Sequence, residues 1–235
     1  MAFITFQPSD HFNTKLYTGN SSTNAVTGVG FQPDFVWLKP RNLADHHRAM
    51  DAVNTASYFL SPNQTSAQSS TGSHFASFDS DGFTLGGSDG GWNNSSYNYV
   101  TWNWKANGSG SSNTDGTITS TVSANTTAGF SIIKYTGSGS AGTVGHGLGA
   151  TPDITIRKKV NSTDDWYVHT TLIDGSFDFL RLNTTATKGD SSLTGFTSTT
   201  IGVEASSYQE VIYAFKSTKG FSKIGTYVGN GNNDG

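Results

Sequence analysis

One six-residue pattern occurs three times along this chain, and the spacing of its first two copies constrains the fold more than any other feature. Lys15-Leu16-Tyr17-Thr18-Gly19-Asn20 recurs as Ile133-Lys134-Tyr135-Thr136-Gly137-Ser138, and again as Gly225-Thr226-Tyr227-Val228-Gly229-Asn230. The first copy is followed by Gly28-Val29-Gly30-Phe31-Gln32-Pro33-Asp34-Phe35-Val36, the second by Gly145-His146-Gly147-Leu148-Gly149-Ala150-Thr151-Pro152-Asp153-Ile154. The tyrosines stand 118 residues apart (135 − 17) and the Pro-Asp pairs 119 (152 − 33), so the register persists well beyond the motif. Self-similarity at a fixed period marks repeated structural units.

Composition decides what kind of unit repeats. The 235 residues suit two modest domains or one large all-β domain. Aromatic residues make up 12 % of the chain, enough to argue for a packed core despite its abundance of Gly, Ser, Thr and Asn. Those small polar residues then read as turns between many short strands. Glu204 and Glu210 are the only glutamates, and no window is rich in strong helix formers. Alternation is clear in Tyr97-Asn98-Tyr99-Val100-Thr101-Trp102-Asn103-Trp104, the pattern of an antiparallel strand with one buried face.

The expected architecture is therefore all-β: two tandem antiparallel β-sandwich domains, jelly-roll-like, with a short N-terminal arm and the start of a third repeat. Residues 1–11 form the arm, in which Phe3, Ile4 and Phe6 are the docking candidates. The first repeat spans 12–106. A Gly/Ser/Thr-rich linker spans 107–129, flexible by composition in its first half and β-prone in its second. The second repeat spans 130–216, and the opening strand of a third, incomplete repeat falls in 217–235.

A net charge of −3 with only 13 % charged residues gives no electrostatic footprint for nucleic acid or an anionic membrane. No cysteine is present, which excludes a disulfide scaffold and a thiolate metal site. The N-terminus has no signal-peptide pattern, and no window is apolar enough for a membrane span. Asp79-Ser80-Asp81-Gly82 begins like a calcium loop but lacks the later ligands, and reads as a hairpin turn. His46 and His47 are adjacent, so on a strand they point to opposite faces and make a poor metal site. Gly137-Ser138-Gly139-Ser140-Ala141-Gly142 lacks the lysine and helix of a phosphate loop. Glycoside hydrolysis needs two opposed carboxylates, and the acids here sit mainly in turns. No catalytic, cofactor or metal site is expected. Trp102 and Trp104 share a strand face and read as core, whereas Trp92, inside Asp89-Gly90-Gly91-Trp92-Asn93-Asn94, is the surface-contact candidate.

Several motifs in order carry a resemblance: Tyr17-Thr18-Gly19-Asn20, then Gly28-Val29-Gly30-Phe31-Gln32-Pro33-Asp34-Phe35-Val36-Trp37-Leu38-Lys39, Phe78-Asp79-Ser80-Asp81-Gly82-Phe83-Thr84-Leu85-Gly86, and Tyr99-Val100-Thr101-Trp102-Asn103-Trp104-Lys105-Ala106. Together with Thr114–Ile132 and Gly220-Phe221-Ser222-Lys223, they resemble a repeat family in structural, tail-fibre-like proteins of marine tailed bacteriophages, of the cyanophage and pelagiphage type. The second repeat departs from the pattern, with Ala150-Thr151 where an aromatic is expected before Pro152. The resemblance implies a virion structural protein, assembled in the host cytoplasm and released by lysis. The expected role is a tail fibre or tail-attached adhesion protein whose N-terminal part anchors to the particle and whose distal part contacts the host surface. The alternatives are a capsid decoration or head-fibre protein and, third, a surface polysaccharide depolymerase. The expected partners are other virion proteins in the tail or capsid, further copies of the chain in a homotrimer, and a host surface glycan.

Overall fold

The computed structural model describes residues 7–231, and the docking candidates Phe3, Ile4 and Phe6 lie outside the described residues. The fold is all-β and antiparallel. In the first repeat the strands are β1 (Phe12–Thr18), β2 (Asn24–Thr27), β3 (Phe35–Pro40), β4 (Arg48–Asp51), β5 (Tyr58–Phe59), β6 (Ser69–Ser70), β7 (Phe75–Asp79), β8 (Gly82–Leu85) and β9 (Asn98–Trp104). The tract before the second repeat contributes β10 (Ser111–Asn113) and β11 (Ser120–Asn125). The second repeat follows with β12 (Phe130–Thr136), β13 (Gly142–Gly145), β14 (Ile154–Lys159), β15 (Tyr167–Thr170), β16 (Asp178–Arg181), β17 (Gly189–Asp190), β18 (Thr200–Val203) and β19 (Gln209–Phe215).

Each repeat is a two-sheet sandwich, and the two share one topology. The larger sheet of the first repeat runs β1-β9-β3-β4, and the Ala49–Leu60 bridge carries it on to the β5–β6 hairpin. Its counterpart runs β12-β19-β14-β15-β16-β17 in the same order. Phe12 pairs with Trp104 as Phe130 pairs with Phe215, and Asn24 pairs with Leu85 as Gly142 pairs with Val203. The smaller sheets, β2-β8-β7 and β13-β18, cover the inner faces. The pairing of Phe78 with Phe83 survives in the second repeat as the single bridge Phe196–Ile201. Between the layers of the first repeat lie Val36, Leu38, Met50, Phe75, Phe83 and Leu85, and of the second Ile133, Val144, Leu148, Ile201, Val203 and Ile212.

The residues that made the repeat visible have physical reasons. A Cβ on Gly19 would stand 2.2 Å from the Asn94 carbonyl oxygen, and one on Gly137 would stand 2.0 Å from that of Ser206. In each repeat the connection into the closing strand crosses over this glycine, and the glycine N–H donates to it, at Tyr97 O (3.1 Å) and Tyr208 O (2.9 Å). Only a residue without a side chain admits that approach. The aspartate of Pro-Asp caps the closing strand. Asp34 N–H donates to Trp104 O while its carboxylate accepts from Ala106 N–H at 2.7 Å. Asp153 does the same with Phe215 O and Ser217 N–H, the latter at 2.5 Å.

The outer faces of the two larger sheets pack on each other. Phe35, Ala49 and Leu60 of the first repeat meet Phe130, Ile132, Trp166, Val211 and Tyr213 of the second in one buried cluster, with Trp37, Trp104 and Phe215 at its margin. The described residues thus form a stack of four layers with three cores. Tyr213 donates its hydroxyl to Asp51 (2.8 Å), and the Trp166 indole N–H donates to Ser61 O (3.0 Å). At about 1.5–3 kcal/mol of gross burial for each large side chain, this seam is a strong tie between the repeats. It joins the repeats into one body.

Two segments differ from expectation. In the 107–129 tract, expected to be flexible in its first half, β10 and β11 extend the second sheet, and Ser123 is buried with its hydroxyl accepting from Asn107 N–H (2.8 Å). Serine and threonine hydroxyls satisfy backbone groups there, which composition alone does not reveal. The third copy of the motif, expected as an opening strand, forms no strand among the described residues. After a bridge between Thr218 and Ser222 the chain runs irregularly to Gly231, with Tyr227 93 % and Val228 95 % exposed. A lone strand has nothing against which to bury its face.

Candidate functional site

Trp92 is not a surface contact. It is 2 % exposed and belongs to the core of the first repeat, stacked on His74 and edge-on to Phe59, with the Arg48 guanidinium 4.9 Å from its ring centre. The Gly-rich loop looks open in sequence, but the tyrosines fold it inward: Tyr17 donates its hydroxyl to Trp92 O (2.6 Å) and Tyr99 to Gly90 O (2.7 Å). Asn93, fully buried beside it, accepts from Asn20 N–H (3.1 Å) and Asn24 Nδ2 (2.9 Å) and donates to Ser22 O (2.6 Å). The loop 86–97 is therefore a plug over the end of the sandwich. Trp102 and Trp104 do share a face, the one turned away from that sandwich core; both are half-buried, and Trp104 packs at the inter-repeat seam.

The polar motifs resolve into structural roles. Asp79 accepts from the Ser77 and Thr84 hydroxyls, and Asp81 accepts from the amides of Gly28 and Gly30 (2.9 and 2.7 Å), which pin the neighbouring turn. Those two amides hold the exposed Asp81 carboxyl below its usual range. His46 lies between Asn63 and Gln64, while His47 Nδ1 accepts the Trp37 indole N–H (2.9 Å), so the adjacent imidazoles do not converge. Among the described residues no group of three or more His, Asp or Glu is placed to hold a metal.

A charged group that sequence reasoning passed over lies inside the second repeat. Arg157, 4 % exposed, pairs with Glu210 at 2.6 Å and donates to the Tyr135 hydroxyl at 2.9 Å. Arg157 Nη1 and Glu210 Oε1 are buried without a protein partner among the described residues. Burial pushes the Tyr135 hydroxyl well above its ordinary value. The signal was present as a charge at each of two apolar strand stretches, Ile154-Thr155-Ile156-Arg157 and Glu210-Val211-Ile212-Tyr213. Neighbouring Lys158 is lowered to about 8, chiefly by burial, and its ammonium donates to the carbonyls of Thr65 (3.1 Å) and Ser162 (3.2 Å), tying the repeats together.

Three surface features could hold a partner. One is a cleft of about 410 Å³ at the open end of the seam, walled by Phe12, Trp104, Phe130, Ile154, Phe215 and Phe221. It admits an apolar anchor and offers little polar chemistry. The second is the edge of β1, unpaired among the described residues, where Leu16 is 55 % exposed. The third is the exposed stretch around Tyr227. Among the described residues no helix is long and apolar enough to cross a membrane.

No curated protein and no solved structure matches this chain. A family model for a domain of unknown function, DUF7483, matches residues 7–235, a span that takes in both repeats and the seam between them. The chain belongs to that family.

Proposed function

We propose that this member of the DUF7483 family is a non-enzymatic structural protein of a bacteriophage particle, a tail fibre or tail-attached adhesion protein that works as a rigid spacer. The arm, with Phe3, Ile4 and Phe6, and the first repeat attach it to the particle; the opposite end faces the host surface, where glycan contact falls to loops other than the one carrying Trp92. One observation carries the reading: two copies of a sandwich share an aromatic seam, so the chain transmits position and load as a single body. The motif resemblance supplies the phage context. The buried charges and histidines described above are committed to packing or to hydrogen bonds, which suits a scaffold better than an acid–base site.

Imaging of whole particles carrying a labelled chain tests the location. Label along the tail or its fibres is the expected result. Label on the capsid lattice would overturn the tail assignment in favour of capsid decoration. Absence from purified particles would end the structural reading altogether.

A further inference from the structure

The two repeats treat the outer edge of their opening strand differently. In the second repeat that edge is filled: β11 pairs along β12 from Ser120–Tyr135 to Asn125–Phe130, and β10 pairs beyond it. In the first repeat β1 is the last strand of its sheet among the described residues. It has seven residues, where the other terminal strands of the large sheets, β6, β10 and β17, have two, three and two. A long edge is a ready template for another strand, and proteins usually blunt or cover one. Here Thr14, Leu16 and Thr18 are exposed along it.

The same chain carries a strand sequence outside any sheet. Residues 223–229, which take in the third copy of the motif as far as Gly229, join no sheet among the described residues, and Tyr227 and Val228 stand almost wholly in solvent. Two hydrogen bonds hold the near end of the segment, Ile224 N–H to Ser217 Oγ (3.0 Å) and Thr226 Oγ1 to Leu172 O (3.2 Å). As an extended strand it would present Ile224, Thr226 and Val228 on one face, and Tyr227 between two glycines on the other. The β-branched face suits Leu16, because cross-strand aliphatic pairs are what stabilise such additions. Among the described residues, an exposed donor and an unpaired strand edge at different places on one chain define a head-to-tail contact.

We propose that residues 223–229 of one copy add as a strand to the β1 edge of a second copy, so that the protein self-associates heterologously by β-augmentation. A heterologous contact closes into a ring where the rotation permits, and three copies would give the trimer expected for a fibre part. The inference deepens the structural reading above but is tested apart from it, since self-association in solution can fail while particle location holds, and the reverse.

The experiment uses the full chain in analytical ultracentrifugation with two variants. Tyr227→Asp with Val228→Asp disables the donor; Leu16→Asp, on an exposed position, disables the acceptor. Wild type is expected to form oligomers with rising concentration, and each variant alone to run as a monomer. An equimolar mixture of the two variants regains one good donor and one good acceptor, and is expected to give a dimer and nothing larger. A wild type that stays monomeric, variants that associate like wild type, or a mixture that stays monomeric would each overturn the proposal. Hydrogen exchange supplies the independent check. Protection of β1 amides should rise with oligomer formation and should survive removal of residues 1–6. If that removal alone abolishes the protection, the chain's own arm fills the edge and the proposal is wrong.

Discussion

At three matched positions the two repeats solve one packing problem with opposite chemistries. The pairings align Tyr17 with Tyr135, Leu38 with Arg157 and Tyr99 with Glu210. In the first repeat Tyr17 and Tyr99 stack at 4.8 Å beside Leu38, and the loop 86–97 folds Trp92 over them. In the second the corresponding connection is only 204–208, and the conserved tyrosine hydroxyl accepts from Arg157 instead of donating to a loop carbonyl. Where the chain has a plug it builds an apolar end; where it lacks one it buries an ion pair. The second solution is the more exposed to damage, because each charge relies on the other to offset its desolvation.

The largest expected effect tests that dependence. Arg157→Ala leaves Glu210 buried and unpaired and should lower stability by roughly 3–5 kcal/mol in urea denaturation followed by circular dichroism. Replacing the whole group with apolar residues (Arg157→Leu, Glu210→Leu and Tyr135→Phe together) should return stability to within about 1 kcal/mol of wild type. If the triple variant is as weak as the single one, the equivalence of the two solutions fails. Trp92→Ala should cost about 3–5 kcal/mol by opening the plugged end, whereas a surface tryptophan would cost little.

Next comes the seam. Tyr213→Phe leaves the Asp51 carboxylate short of a donor and should cost about 1–3 kcal/mol. Wild type and variant alike should unfold in a single transition by calorimetry. Two separated transitions would show that the repeats are independent after all.

The most gradual effect is a pH dependence carried chiefly by the second repeat. His169 occupies the position of Met50 (169 − 50 = 119, the spacing of the Pro-Asp pairs), and burial, with a smaller contribution from Arg157, lowers it from 6.5 to about 3. The folded protein keeps this imidazole neutral, while the unfolded chain takes up a proton below about pH 6.5. Stability is therefore full above that pH and falls as pH drops toward 3, with a slope approaching ~1.4 kcal/mol per unit. His169→Met should flatten the profile, leaving what His11, His47 and His146 contribute, all of which are lowered chiefly by burial. An unchanged slope would locate the dependence elsewhere.

The sequence disclosed the parts governed by local rules. Alternation in β9 and the Gly and Pro-Asp punctuation are short-range signals, and they located the repeat and its antiparallel strands. The seam was harder to see, although Val211-Ile212-Tyr213-Ala214-Phe215 is apolar without alternation, the mark of a strand buried on both faces. Trp92 misled because a Gly-Asn-rich loop looks the same whether open to water or pulled inward by hydroxyls 75 residues away in the chain, as Tyr17 is. The β11 tract was ambiguous for a related reason: serine is at home in a linker, yet Ser123 is fully buried. The Arg157–Glu210 pair was missed because charge within a strand says nothing of its partner on the neighbouring strand, which follows some fifty residues later in the chain.

The double burial of β12 and β19 has a consequence for how such a chain can vary. A residue on β1 borders one core and an edge, so exchanging it is a local event. Phe130, Ile133, Ile212 and Tyr213 sit on strands that wall two cores at once, and a shift in either strand to suit one side is transmitted to the other. Substitutions should therefore accumulate unevenly between the layers. The smaller sheets and β1 can drift, while β3, β4, β12 and β19 change only in concert with partners on both sides. The layers of a duplicated fold would then age at different rates.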